Sequence, residues 1–304
     1  MIPIKFCHIA PIKYLDLYTR SNGTHLLLAH LVEESPAYGN YYAELLDGKY
    51  KILDNSAFEM FKQGREMYDS SKLVEMANKS NADCIVLSDY PKQPWSVTMN
   101  KAKEMIPEII DNGFDTFYVP QSELGDMDGL IRSIEWALDH PLIKTIGLSI
   151  LSCPIACGVN ESAHVAGAPR SETYRMQRYL SRFKVLRELD KRGITSDSLA
   201  AKRFLCLGMM DGPNEIELLR PYHKNIDSWD SSAAVWCGIN GIRFDNSPTG
   251  LAGGKFEKEV DFHYNPPYKV DFHYNPPYNE HHPSAHSDVL CNIAFIENLT
   301  SETL

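Results

Sequence analysis

The chain has 304 residues, 43% of them apolar and 23% charged, with a formal net charge of −10. That length supplies one large domain or two small ones with a sizeable core, and the acidic balance argues against loose, charge-driven binding of nucleic acid. The longest apolar runs, such as LLLAHLV, fall short of the ~20 residues a membrane span needs, and MIPIKFCHIAPIKY lacks the basic start and long apolar core of a secretory signal.

Eight short apolar runs follow one another: PIKFCHI (3–9), THLLLAHLV (24–32), YKILD (50–54), DCIVLSD (83–89), DTFYVPQ (115–121), KTIGLSI (144–150), RFLCLGM (203–209) and KNIDSWD (224–230). Most lack clean alternation, the pattern of strands covered on both faces. Helix patterns separate most of them. SSKLVEMANKSN (70–81) places Leu73, Met76 and Ala77 on one helix face. SVTMNKAKEMIPEIIDNG (96–113) stops at Asn-Gly, and MDGLIRSIEWALDH (127–140) is amphipathic. SETYRMQRYLSRFKVLRELDKRG (171–193) reads as one long helix ending at Gly193, and NEIELLRPY (214–222) as a short one. Helix signals are weak between the first three runs.

Eight strands alternating with helices over about 230 residues predict an α/β fold of the (β/α)8 barrel class. An open doubly wound sheet is the alternative. With no GxGxxG after the first strand and no GxxxxGK[ST], its nucleotide-binding version has no support. The barrel is expected to span residues 1–250 as the catalytic domain, with an irregular C-terminal extension over 251–304. That extension contains VDFHYNPPY twice, at 260–268 and 270–278. Two copies exclude a solenoid, and the Pro-Pro pairs favour an extended or turn conformation.

Seven cysteines, an odd number, several inside apolar runs, fit reduced, buried thiols of a cytoplasmic protein. Lys184, Arg187, Lys191, Arg192, Lys202 and Arg203 lie close in sequence. A basic groove competes there with the plainer reading of a solvated helix face.

In such a barrel the active site sits at the carboxyl ends of the strands. The predicted ends supply Asp54, Asp89, Gln121, Ser149, Met209 with Met210, and Asp227 with Asp230. Phe58 offers an aromatic face for a flat ring, and Gly147 allows close approach of backbone to a ligand. Carboxylates, amide groups and an aromatic lid suit cleavage at a glycosidic carbon, where one carboxylate attacks and another moves protons.

These residues resemble the tRNA-guanine transglycosylase superfamily, barrels that exchange guanine for a 7-deazaguanine base. Six segments match in order over residues 48–242: ILDNSAFE (52–59), LSDYP (87–91), VPQSE (119–123), IGLS (146–149), FLCLGMMDGPNE (204–215) and IDSWDSSAA (226–234). Both glycines that the family places after the first aspartate are replaced here, and Ile146 stands for one of a Gly-Gly pair. The resemblance implies Asp230 as the nucleophile on the sugar C1′, forming a covalent glycosyl-aspartate, with Asp227 competing for that role. It implies Asp54 as general acid/base and Phe58 stacking on the base. Asp89, Gln121, Gly147 and Leu148 would read the base edge, and Met209 or Met210 would pack behind it.

The Cys-x-Cys-x-x-Cys plus His zinc site of cellular tRNA members is missing. His281, His282, His286 and Cys291 are weak metal candidates, and no cofactor is expected. The compact length looks more like the phage and bacterial branch that inserts 7-deazaguanines into DNA. The expected partner is therefore DNA, with tRNA as the alternative and a homodimer among the allowed states. A barrel hydrolase acting on a nucleoside or sugar is the third reading.

Overall fold

In the computed structural model, residues 3–160, 172–194, 202–210, 212–239, 241–244 and 285–301 are described. In chain order they form β1 (Lys5–His8), α1 (Leu15–Tyr18), β2 (His25–Leu28), α2 (Ala29–Glu34), α3 (Pro36–Glu44), β3 (Lys51–Asp54), α4 (Ala57–Gln63), α5 (Ser70–Ser80) and β4 (Cys84–Val86). There follow α6 (Trp95–Asp111), β5 (Asp115–Tyr118), α7 (Met127–Asp139), β6 (Ile143–Ser149), α8 (Ser152–Ala156), α9 (Glu172–Tyr179) and α10 (Ser181–Lys191). The chain continues with β7 (Arg203–Leu207), α11 (Asn214–Leu218), β8 (Ser228–Ser231), α12 (Ala233–Ile239) and α13 (Ala285–Ser301).

The eight strands are parallel and ordered β1-β8-β7-β6-β5-β4-β3-β2, a nearly closed (β/α)8 barrel. Between β1 and β2, single contacts bridge the gap: Gly23 N–H donates to the Phe6 carbonyl at 2.9 Å, and Leu26 N–H to Cys7 Sγ at 3.1 Å. All eight predicted strands are present. Alternation sends Cys7, Leu26, Ile52 and Phe117 into the barrel, while Phe6, Leu27, Leu53 and Tyr118 pack outward under the helices. Gly147 faces inward, where a Cβ would lie 2.7 Å from Phe117 Cε2 and 2.9 Å from Leu207 Cδ1. Its missing side chain makes room for theirs.

Three elements differ from expectation. The run 24–32 is strand only to Leu28; Ala29–Glu34 is helix, because an apolar run alone does not separate the two. The long helix expected over 171–193 is two helices meeting at Leu180. Ser181 Oγ there donates to the Arg178 carbonyl at 2.7 Å, a side-chain bond that competes with the helical ladder. Within the expected extension, 285–301 forms α13, whose Val289, Ile293 and Ile296 join the main core. Asn292 anchors it, accepting from Phe244 N–H at 2.8 Å and donating to the Ile242 and Ala234 carbonyls at 2.8 and 3.2 Å. Both VDFHYNPPY copies lie outside the described residues. Among those described, no helix is long and apolar enough to cross a membrane.

Candidate functional site

Asp54 ends β3, and the next residues form two consecutive Asx turns. Asp54 Oδ2 accepts from Ser56 N–H at 3.0 Å, and Asn55 Oδ1 from Ala57 N–H at 2.8 Å. Ser56 is held in the left-handed region at φ 57°, ψ 32°. Glycine adopts that conformation without strain, whereas serine does not. The turn launches α4, so Phe58 and Glu59 in its first turn face back over the barrel mouth.

Asp89 follows β4, and two amides hold its carboxylate. Asn55 Nδ2 donates to Oδ1 at 2.7 Å, and Gln121 Nε2 donates to Oδ2. Across the barrel, Asp230 lies in β8 opposite Cys7 of β1, and its Oδ1 accepts from Gly208 N–H at 3.1 Å.

Asp54, Phe58, Asp89 and Asp230 line one cavity of about 110 Å³ at the carboxyl ends of the strands. Gln121 stands behind Asp89. Among the described residues the cavity wall contains four carboxyl groups, the fourth from Glu59, and no basic side chain. Burial pushes the Asp89 carboxyl up to about 6, against the two amide bonds that favour its ionised form. Burial likewise pushes Asp230 up to about 7, opposed by the Gly208 amide and the Arg182 charge. Asp54 lies well above the usual carboxylate range, from burial first and then repulsion by Glu59, Asp89 and Asp230. Burial thus raises the proton affinity of all three carboxyl groups, and their unequal surroundings give them different midpoints, the kind of spread that acid/base chemistry uses.

Asp227, Gly147, Leu148, Met209 and Met210 do not line the cavity. Asp227 precedes β8 at the amino end of the barrel, where its Oδ1 lies 3.2 Å from Lys5 Nζ. It belongs to the opposite rim from Asp230. Gly147 lies within the strand, beneath the cavity. Leu148 points outward, as alternation from Gly147 demands, and packs with the outer core. Met210 is fully buried outside the barrel, its Sδ accepting from Ser181 Oγ at 3.1 Å, and Met209 packs against the same outer core. Ser149, an expected strand-end residue, lines the cavity together with Leu207 and Gly208. His281 and His282 lie outside the described residues. His286 pairs with Tyr18 Oη at 3.0 Å, Cys291 is half-buried on α13, and no metal-binding group of three or more side chains forms among the described residues.

Four residues of the basic run are engaged elsewhere. Arg203 begins β7 at the amino end, its guanidinium 4.6 Å from the Tyr50 ring centroid, and Lys202 donates to the His140 and Ile143 carbonyls at 2.7 Å each. Arg192 pairs with Asp128 and Glu188, and Lys191 with Glu188.

Asn55 and Glu59 are the residues sequence reasoning passed over, although both lie within the ILDNSAFE segment. Their signal is proximity to Asp54 on a tight turn into a helix. The fold and the cavity define a (β/α)8 barrel with a carboxylate-lined site at its carboxyl face. Models of known protein families and curated protein sequences give no match to this chain.

Proposed function

We propose that this barrel is a base-exchanging pentosyltransferase, replacing guanine in DNA by a 7-deazaguanine through a covalent glycosyl-aspartate. The observation that carries this reading is the convergence of Asp54, Asp89, Asp230 and Phe58 on one cavity, in a chain whose strand-end segments resemble the tRNA-guanine transglycosylases. Asp230 attacks C1′ as the carboxylate. The C1′–N9 bond breaks, and the departing guanine takes a proton from Asp54. The incoming base then gives its N9 proton to Asp54 and attacks C1′, freeing Asp230. Asp89, fixed between Asn55 and Gln121, accepts hydrogen bonds from the donor edge of the purine, and Phe58 stacks on its face. A guanine in duplex DNA must first flip out, at a cost of a few kcal/mol. The exchange balances without a redox cofactor, and a cytoplasmic setting belongs to the same proposal.

The test is incorporation of labelled guanine into DNA by the purified chain, with denaturing electrophoresis for a protein–DNA adduct. Wild type is expected to exchange and to form the adduct, and Asp230→Asn to do neither. Full exchange by Asp230→Asn removes the reading. Labelling of tRNA alone transfers it to the tRNA branch, and release of base from free nucleosides, with no polymer labelled, replaces it by a hydrolase.

A further inference from the structure

Arg182 is fully buried on α10 and is engaged at every nitrogen. Its Nη1 lies 2.9 Å from both oxygens of Glu215, itself fully buried on α11. Its Nε donates to the Leu148 carbonyl of β6 at 2.9 Å. Its Nη2 donates to the Leu207 carbonyl and, at 3.0 Å, to the Gly208 carbonyl. Trp229 Nε1 also donates to the Gly208 carbonyl, at 2.8 Å, and the Trp229 ring lies 5.4 Å from the guanidinium. Glu215 Oε2 closes the loop by accepting from Met210 N–H at 2.7 Å.

A buried ion pair gains little net stability over apolar residues of the same volume. This one does something an apolar pair does not, because it fixes peptide planes. The Leu207 carbonyl and the Gly208 N–H belong to one trans peptide and point in opposite directions. Arg182 and the Ile150 N–H, which donates to the same Leu207 carbonyl at 3.1 Å, together anchor that carbonyl and so aim the Gly208 N–H the other way, at Asp230 Oδ1 3.1 Å away. We propose that Arg182, held by Glu215, is a positioning residue for Asp230, acting through the Leu207–Gly208 peptide without touching substrate.

The role of Asp230 as nucleophile rests on the reading above; the clamp itself is tested without substrate. The charged and titratable groups that act electrostatically with Asp230 are Arg182 of α10, Asp54 of β3 and the thiols of Cys7 on β1 and Cys206 on β7. Removing Arg182 takes away the one cation among them and loosens the amide that favours the carboxylate. The Asp230 midpoint must then move upward.

The experiment is a 13C NMR titration of protein labelled at aspartate carboxyls. Asp230 is assigned by Asp230→Asn and followed in wild type, Arg182→Met and Arg182→Lys. The expected result is an upward move of about one pH unit in Arg182→Met and a smaller one in Arg182→Lys. In exchange assays, kcat should fall about tenfold in Arg182→Met, with KM for DNA within about threefold and the acid limb displaced to higher pH. A folded Arg182→Met in which Asp230 titrates as in wild type overturns the proposal. Should Arg182→Met not fold, Arg182→Lys decides: an upward midpoint supports the clamp, and an unchanged midpoint with unchanged kcat overturns it. Wild type that exchanges no base in any polynucleotide sinks the functional reading and leaves the titration result standing.

Discussion

Asn55 Nδ2 lies 2.7 Å from Asp89 Oδ1 and 2.6 Å from the Leu87 carbonyl, so one side chain from the β3 turn fixes both the carboxylate and the backbone of the β4 turn. Asn55 is 1% exposed and Asp89 3%, so no water replaces a lost partner cheaply. Asn55→Ala is expected to lower stability by about 1–3 kcal/mol, the usual penalty for orphaned buried polar groups. The loss depends on pH. Asp89 holds its proton up to about 6 in the folded chain against 3.8 in the reference state. Its contribution is thus complete below pH 4 and is lost as pH rises through 6. Removing a donor raises the folded midpoint further, so urea unfolding should show a larger deficit at pH 8 than at pH 5. An equal deficit at both pH values denies that Asn55 supports the ionised form.

Asp230→Asn should separate stability from activity. Burial raises Asp230 from 3.8 to about 7. The folded chain therefore binds the proton more tightly than the unfolded chain, and stability falls as pH climbs from 4 through 7. Three units correspond to about 4 kcal/mol at the upper limit, and relaxation reduces that. Asparagine keeps the acceptor facing Gly208 and removes the charge. The variant is expected to be about 1–3 kcal/mol more stable than wild type at pH 8 and near wild type at pH 5, while losing exchange. Denaturant titrations at the two pH values measure it. A variant less stable than wild type at pH 8 contradicts the burial of charge at this position.

Ser56 allows a test of strain at the site. At φ 57° it occupies a conformation that disfavours a side chain by about 1–2 kcal/mol. His30 helps hold it there: His30 N–H donates to Ser56 Oγ at 3.2 Å, and His30 Nδ1 lies 2.8 Å from the same oxygen. Ser56→Gly loses that bond and the strain together, whereas Ser56→Ala loses the bond and keeps the strain. Ser56→Gly is expected to be the more stable of the two by about 1 kcal/mol in thermal unfolding. The reverse order would show that the turn is not strained.

Strand content was legible because parallel strands inside a barrel need apolar residues on both faces, and no other element explains eight such runs with helical patterns between most of them. Asp54, Asp89 and Asp230 were legible because each ends or closely follows one of those runs. The misplaced residues fail for local reasons. Leu148 is one residue from Gly147 and so faces the other way. Met209 and Met210 follow Gly208, whose φ of +69° turns the chain out of the barrel. Asp227 lies within the apolar run 224–230, but β8 begins one residue later. The Arg182–Glu215 pair joins residues 33 apart, a relationship no pattern in either segment announces. The closing helix was hidden because the chain between residues 245 and 284 separates it from the repeating βα arithmetic.

That closing helix supplies the last prediction. An added Cβ at Gly238 of α12 would sit 2.4 Å from the backbone N and Cα of Val289 on α13. Backbone cannot rotate away as a side-chain tip does, so Gly238→Ala must displace α13 as a unit. Overpacking of this kind costs about 1–3 kcal/mol. Asn292→Leu acts at the same interface differently: it leaves Phe244 N–H and the Ile242 and Ala234 carbonyls without the bonds they now make to that side chain, a loss of about 1–3 kcal/mol. α13 also packs against β1, the strand that brings Cys7 opposite Asp230. Loosening the helix should therefore reach the site as well as the melting temperature. Both variants are expected to melt lower than wild type, to be cut by protease between residues 244 and 285 more readily, and to lose kcat in proportion. Variants that melt lower yet keep full kcat at a temperature where they remain folded would show that α13 stabilises the barrel without positioning β1.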